Sequence, residues 1–559
     1  MSSFTAERPG PGPHRARRAL LAATVTATLV ALPATAGAAD SLAHHRGPHR
    51  PDSTELPLGA ADLPETRTTE VLQPGVTLTR IVRGEVDPDH SWTVEVSIPG
   101  GATSPDPDAP PTVLKDLASA QETTAALVAA GFAARAEEVV TAPVADYAGG
   151  TLGWRVRVGS FADQAAATAE RDRLRAAGFT GSVFYTGWDW EDDDRGPWRI
   201  DVITVDPRRF RGEIDATLGP DIEQRETTSA LADLAGATAG VNGGYFVLDP
   251  RAGAPGDPAG VTVVDGELLS EPVDGRPALV LREDARHTDV ARFSWEGEVR
   301  AGRTTLALDG INRVPGLIRN CGGTDDDLPT SDPRHDVTCT DDAELVLFTP
   351  EFAGTTPAGD GVEVVLDRRD TVVEVRQSRG GTVPRGGTTL QATGDLADDL
   401  RQVARRGARL DVRTALTDER GRTVRTQDHT SVVNGGPELV RRGRLHVTPA
   451  SDGMVHADNP SFYYGWAHKR NPRTFAGTDA QGRLVLVTAD GRSTESLGLS
   501  IPEAGQVAVG LGLREALNLD GGGSTTMVVD GAVINDPSDA AGERPVGDAI
   551  LVLPDRRRH

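Results

Sequence analysis

The chain has 559 residues, of which 38% are hydrophobic and only 4% aromatic, and a formal charge of −24. That length is too great for one simple core and points to about two to four domains. So negative a surface counts against nucleic acid or anionic lipid as the main partner.

The first 39 residues read as a cleaved export signal. Arg15, Arg17 and Arg18 precede an apolar run from Ala19 to Leu32, and small residues follow from Ala34 to Ala39. The run is shorter than the about twenty residues a bilayer-crossing helix needs, so cleavage is favoured over an uncut anchor. Arg17-Arg18 leaves a twin-arginine route open beside the general secretory one. The segment carries four arginines against one glutamate, so its removal takes the formal −24 to about −27. No later stretch is apolar and long enough to span, and the expected product is a secreted, cell-wall-associated protein without stable membrane insertion.

Residues 40–65 are rich in Pro, Asp and His without an apolar period, and read as a flexible leader. From Val71 to Gly84 apolar and polar residues alternate around Pro74-Gly75, which predicts strands. Residues 66–89 are therefore taken as the first strands of the main domain.

Residues 90–188 read as a separate unit with an internal repeat. Trp92–Ile98 alternates as a strand, Ala118–Ala130 reads as a helix stopped by Gly131, and Ala133–Val140 returns as a strand. Trp154–Gly159, Asp163–Ala177 and Ser182–Thr186 repeat the order, and "AAGF" recurs at Ala129–Phe132 and Ala176–Phe179. Two such halves predict a ferredoxin-like sheet of four strands with two helices on one face.

Residues 189–559 form the largest unit. Strand-like runs (RIDVITV, ALVLRE, ELVLFTP, GVEVVL, RLVLVTA, AILVLP) outnumber helical ones at Thr228–Ala235, Gly394–Arg405 and Pro502–Leu513. Without regular alternation of strand and helix, the expected class is α+β with mixed sheets. Cys321 and Cys339 are the only cysteines. In an oxidising compartment they predict a disulfide worth about 3 kcal/mol by loop entropy. A metal site is the alternative, with His335 as its one nearby partner.

Chemistry concentrates in four clusters rich in Asn and Gly: Asn242–Phe246, Asn434–Pro437, Asn471–Thr474 and Asn518–Thr526. Successive glycines let backbone approach a ligand, and consecutive amides form an anion nest; a carboxylate beside it, Asp520, can attack or activate water. Taken singly, each cluster is equally well a turn. The histidines show no HExxH pattern and no ligand spacing, and the Asp192–Asp194 and Asp325–Asp327 runs lack the EF-hand order. No cofactor or catalytic metal is expected, although a structural Ca²⁺ on such a run stays open.

Two resemblances follow from these motifs. The stretch Trp154–Phe179, with Val158-Gly159-Ser160-Phe161 and Ala177-Gly178-Phe179, resembles the SPOR family. That likeness implies binding of peptidoglycan glycan strands across the sheet face. Residues 197–554 resemble the phosphodiester glycosidase family, which includes an enzyme that removes N-acetylglucosamine from a phosphodiester. The likeness rests on Arg225-Glu226-Thr227, Asn242–Phe246, Val264-Asp265, Leu269-Ser270, Arg473-Thr474, Gly477, Asp490-Gly491 and Asn518–Thr526. With Val71–Arg83 as its first strands, the SPOR-like unit is an insertion. Phe475-Ala476 departs from the family pattern, and the loop Asn320–Asp342 has no evident counterpart and is a candidate lid.

The resemblance implies hydrolysis of sugar-1-phosphodiesters in cell-envelope glycopolymers or exopolysaccharide. Two carboxyl groups usually flank a glycosidic bond. Asp520 is the first candidate, as nucleophile or base, and Glu226 the second, with a helix-capping role as its rival. Arg473 is expected to clamp the phosphate. Asn242, Gly243, Asn434, Thr474, Asn518, Gly522, Gly523 and Ser524 are expected around the sugar and phosphate, or as turn and cap residues. The competing reading is a non-catalytic peptidoglycan-binding envelope protein, and a third is cleavage of the other P–O bond.

Overall fold

The structure is a computed structural model that describes residues 55–99, 110–191, 193–324 and 326–555. The expected export signal and most of the leader lie outside the described residues. The end of that leader differs from expectation. Leu56, Leu58 and Leu63 are buried against Trp198 and Ile200, and Arg83 donates to the carbonyls of Leu58 (2.8 Å) and Ala60 (3.0 Å). Three leucines among prolines have no period to read, yet each fills a hole in a core.

Glu65–Gln73 and Val76–Arg83 form an antiparallel hairpin around Pro74-Gly75. Gly75 has φ +87°, and a Cβ there would collide with the backbone of Phe210. The hairpin is the edge of an eight-stranded sheet that continues through Trp198–Val205, Leu484–Ala489, Arg473–Asp479, Leu513–Asn518, Glu438–Arg441 and Arg444–Leu445. Each neighbouring pair is antiparallel. On one face, Leu78, Ile203, Leu486 and Leu517 pack against Val241, Ile550 and Val552 of a five-stranded sheet. On the other, Phe475, Val487 and Ala516 pack against the helix Ile501–Gly510. Ser500 and Glu503 cap that helix reciprocally.

A second large sheet runs through Thr430–Asn434, Pro277–Arg282, His287–Ala301 and Asp411–Asp418. The strand His287–Ala301 was not foreseen; its charged residues blur the alternation over much of its fifteen residues. A further five-stranded sheet holds Leu345–Phe348, Val362–Leu366 and Thr388–Ala392. Mostly sheet with few helices, the molecule is α+β, as expected.

The repeat unit forms an antiparallel sheet ordered Ala134–Thr141, Gly150–Phe161, Trp92–Val96, Gly181–Tyr185. Helices Leu117–Ala129 and Gln164–Ala176 start at Asp116 and Asp163, whose side chains accept from the amides of Ser119 and Ala166. Their Leu127 and Leu174 pack on Val94, Val96, Val156 and Val158. The opposite face of this sheet is also covered. Val139, Leu152 and Tyr185 join the core that holds Phe475 and Ile501, while Glu95 and Arg157 are 3% and 2% exposed.

Candidate active site

The four Asn/Gly clusters meet where strands of different sheets end. Asn242 closes Ala239–Asn242, Asn434 closes Thr430–Asn434, Asn518 closes Leu513–Asn518, and Arg473 opens Arg473–Asp479. The clusters are tied directly together. The Asp520 amide donates to the Gly243 carbonyl at 3.1 Å, and Asn242 Nδ2 donates to the Asp520 carbonyl at 2.8 Å. Thr474 Oγ1 (2.7 Å) and the Thr526 amide (3.1 Å) both donate to Asn242 Oδ1. Asn434 brackets Tyr245, accepting from its amide at 2.9 Å and donating to its carbonyl at 3.2 Å. Gly243 and Gly244 are needed because a Cβ would strike the Asp548 carboxyl and the Asn434 carbonyl, respectively.

Several residues expected at the ligand are therefore spent inside the fold. Asn242, Asn434 and Thr474 are buried with their polar atoms in these bonds, and they position Asp520 and Tyr245 instead. The anion nest is corrected in the same way. The Gly522 amide donates to Pro472, that of Ser524 to Gly521, and that of Gly521 to Asp520 Oδ1. Gly523 serves a different purpose: any side chain there would displace the Arg544 guanidinium.

Asp520, Asn518 and Gly523 face a cavity of about 280 Å³. Its cationic wall is made by Arg319, Arg473, Arg492 and Arg544. Arg473 is 3% exposed; its Nε donates to the Leu499 carbonyl at 2.9 Å and its Nη2 to the Trp466 carbonyl. Arg492 donates through Nε (3.1 Å) and Nη2 (3.0 Å) to Asn471 Oδ1, and Arg544 pairs with Asp539 at 2.8 Å. Trp466 also lines the space, and its Nε1 and the Oδ1 of Asn518 have no hydrogen-bond partner. An unspent indole donor and an unspent amide acceptor in the wall suit a ligand that carries both, as a sugar does.

The disulfide between Cys321 and Cys339 forms, and the loop it closes is part of the site. Arg319, Asn320, His335 and Asp336 all line the cavity. Arg319 Nη2 donates to Asp336 Oδ1 at 3.1 Å, and Asn320 Oδ1 accepts from the Asp336 amide at 2.8 Å. Asp336 thus stands where a second carboxylate was sought. Glu226 does not: it lies against Gly219, its backbone bridges to Val546, and it does not line the cavity.

Burial raises the Asp520 carboxyl to about 6; Asp336 adds to the rise, while Ser524 and Arg544 oppose it. Burial also raises Asp336, against the pull of Arg319 and Arg276. Burial and the surrounding arginines hold His335 well below its ordinary value, so it is neutral at neutral pH. Burial, helped by Arg492, brings Arg473 down to about 10. Two acidic groupings exist among the described residues, Asp87/His90/Asp194 and Asp326/Asp327/Asp341, and neither lies in this cavity. Asp194 is held by His90 and Arg470; Asp192 and Asp325 lie outside the described residues.

Sequence reading missed Arg319, Asp336, Arg492, Arg544 and Trp466 as a set; Tyr245 lay in the Asn242–Phe246 cluster without a role of its own, and His335 was weighed only as a metal partner for the cysteines. Only the disulfide-closed loop carried a usable signal, since a staple on a polar loop marks a segment whose shape matters.

The Phosphodiester glycosidase family model matches residues 360–553 and the SPOR domain model residues 113–185. The first range holds Arg473, Arg492, Asp520 and Arg544; Arg319 and Asp336 come from outside it. N-acetylglucosamine-1-phosphodiester alpha-N-acetylglucosaminidase of Bos taurus is 26% identical over 204 residues, 34% of this chain and 38% of that protein. The chain thus spans about two fifths of the length of that relative. A protein of Burkholderia pseudomallei K96243, named as exported, is 34% identical with a TM-score of 0.80, covering 90% of this chain and 98% of that one. A Synechocystis protein at 14% identity shares the fold, with a TM-score of 0.50 over 89% of this chain and 80% of its own. The chain carries a phosphodiester glycosidase domain and a SPOR domain.

Proposed function

We propose that the protein is an exported hydrolase that cleaves sugar-1-phosphodiesters of the GlcNAc-1-phosphodiester type in cell-envelope glycopolymers or exopolysaccharide. The observation that carries this reading is the single cavity in which two carboxyl groups, Asp520 and Asp336, face four guanidinium groups.

A phosphodiester enters with one negative charge. When the bond between the anomeric carbon and oxygen breaks, the electron pair leaves with the phosphate, which gains a second charge. Arg319, Arg473, Arg492 and Arg544 stabilise that charge as it develops, so the leaving group needs little protonation. Positive charge grows at the anomeric carbon, where the Asp520 carboxylate either attacks or takes a proton from the incoming water. Water supplies the oxygen of the free sugar, and the other product is a phosphomonoester. Asp336, held by Arg319, is the second carboxyl group. Trp466 Nε1 and Asn518 Oδ1 bond sugar substituents.

The SPOR domain and the Burkholderia relative support action in the cell envelope, with peptidoglycan strands as partner and the module read as ferredoxin-like. No helix among the described residues is long and apolar enough to cross a membrane. The test is incubation with chromogenic sugar-1-phosphodiesters in ¹⁸O-labelled water. Release of sugar carrying the label is expected. Label in phosphate moves the reaction to the P–O bond, and no release from any of several sugars overturns the reading.

A further inference from the structure

The segment that walls the cavity beside Trp466 is held from outside the glycosidase domain. It consists of a short helix, Pro460–Tyr463, a π-turn, Tyr464–His468, and the following Lys469. The carbonyls of this segment set two of the cavity's guanidinium groups. Arg473 donates to the Trp466 carbonyl. Asn471 Nδ2 donates to the carbonyls of Gly465 (3.0 Å) and Lys469 (3.2 Å), while its Oδ1 holds Arg492.

The side chains of the same segment reach into the sheet of the SPOR module. Tyr464 Oη and Lys469 Nζ each donate to Glu95, both at 2.6 Å. Arg155 Nη1 donates to Tyr464 Oη at 2.8 Å. Ser461 Oγ accepts the amides of Val113 (3.0 Å) and Leu114 (2.9 Å). Arg157, 2% exposed, links Glu95 to Asp189. Burial pushes the Glu95 carboxyl up, yet Lys469, Arg157 and Arg155 hold it at about 2. Buried ion pairs contribute little net stability but fix orientation sharply, since every misplacement strands a charge. Such a network is poorly explained as glue and well explained as a register device.

We propose that the SPOR module is a brace for the active site, with Glu95 a positioning residue that sets Trp466, Arg473 and Arg492 through Tyr464 and Lys469. The sheet face that the family resemblance assigns to glycan is used up by this contact. The module's part in the reaction is therefore mechanical, and wall contact uses its other surfaces. This inference rests on the cavity being the active site, and its test keeps the two separable.

Glu95→Gln keeps the shape and the bond to Tyr464 while removing the charge that Lys469 needs. Inorganic phosphate is the probe, with affinity read by calorimetry, and hydrogen exchange is read on residues 460–473. Wild type binds phosphate; Glu95→Gln is expected to bind it at least tenfold more weakly, with faster exchange confined to that segment. With a turned-over substrate, the loss falls mainly on KM. Glu122→Ala, on the exposed side of the helix Leu117–Ala129, is expected to match wild type in both. Should Glu95→Gln fail to fold, the apolar pair Glu95→Met with Lys469→Met fills the same space without stranding a charge and is expected to show the same weakening. Unchanged affinity and unchanged exchange in a folded variant overturn the brace. Failure of wild type itself to bind phosphate overturns the cavity assignment, and the brace with it.

Discussion

Replacing Asp520 by Asn should make the protein inactive and more stable, and the gain should depend on pH in a defined way. Burial raises the Asp520 carboxyl from 3.8 to about 6, so the folded protein binds its proton more tightly than the unfolded chain does. Below pH 3.8 both states are protonated and the group contributes nothing. As pH rises through the window from 3.8 to about 6 the unfolded chain ionises first, and stability is lost. Above pH 6 the full difference, a little over two pKa units, costs about 3 kcal/mol. Asn carries no such cost. The stability difference between Asp520→Asn and wild type should therefore grow from about 1 kcal/mol at pH 4.5 to about 3 kcal/mol at pH 8. Urea denaturation at a series of pH values measures it directly, provided the transitions are two-state. A difference that stays flat across this range would refute the claim that the Asp520 carboxyl is held at a cost. Activity should fall by at least about a thousandfold in the same variant, the usual scale for removing a reacting group.

Four further outcomes follow. The rate of sugar release should drop below pH about 6 as Asp520 takes up a proton, and a profile flat down to pH 4.5 contradicts its role as base or nucleophile. Arg544→Ala, beside Gly523 in the cavity wall, should lower kcat/KM by roughly 10²–10³-fold, from the loss of about 3–4 kcal/mol of charge stabilisation, with little change in melting temperature; steady-state kinetics and a thermal melt separate the two. Cys321→Ser with Cys339→Ser should cost about 3 kcal/mol and loosen Arg319 and Asp336, lowering kcat/KM; steady-state kinetics of the folded double variant measure it, and unchanged kcat/KM counts against the loop's place in the site. Glu226→Gln should leave kcat/KM within about threefold of wild type, because its side chain lies against Gly219, away from the cavity.

Much of the architecture was readable because local rules and packing agreed. The helix Thr228–Ala235 forms over the residues expected, capped by Thr227 and closed by Gly236 with φ +67°. The two helices of the repeat unit are set by aspartate caps and a terminal glycine in the same manner. The site was legible as a place, since Asp520 and Arg473 share one cavity. It was less legible as a set of roles. Asn242 and Thr474 look alike as ligand-binding or fold-holding residues until their partners are seen: Asn242 bonds the Asp520 carbonyl, the Thr526 amide and Thr474 Oγ1, all more than two hundred residues away. The arginines were hidden for another reason. An arginine in a loop is ordinary, and nothing local to Arg319, Arg492 or Arg544 says that the three converge. The glycine run misled because conformational freedom serves a tight internal knot as well as it serves an anion.

The strand Trp198–Val205 lies between Val76–Arg83 and Leu484–Ala489. Its second neighbour is thus synthesised only after most of the chain. Until Leu484–Ala489 arrives, one long apolar edge stands unpaired, open to the wrong strand or to another molecule. Maturation of this protein should therefore be slow, because Trp198–Val205 waits for residues 484–489 before its second edge is covered.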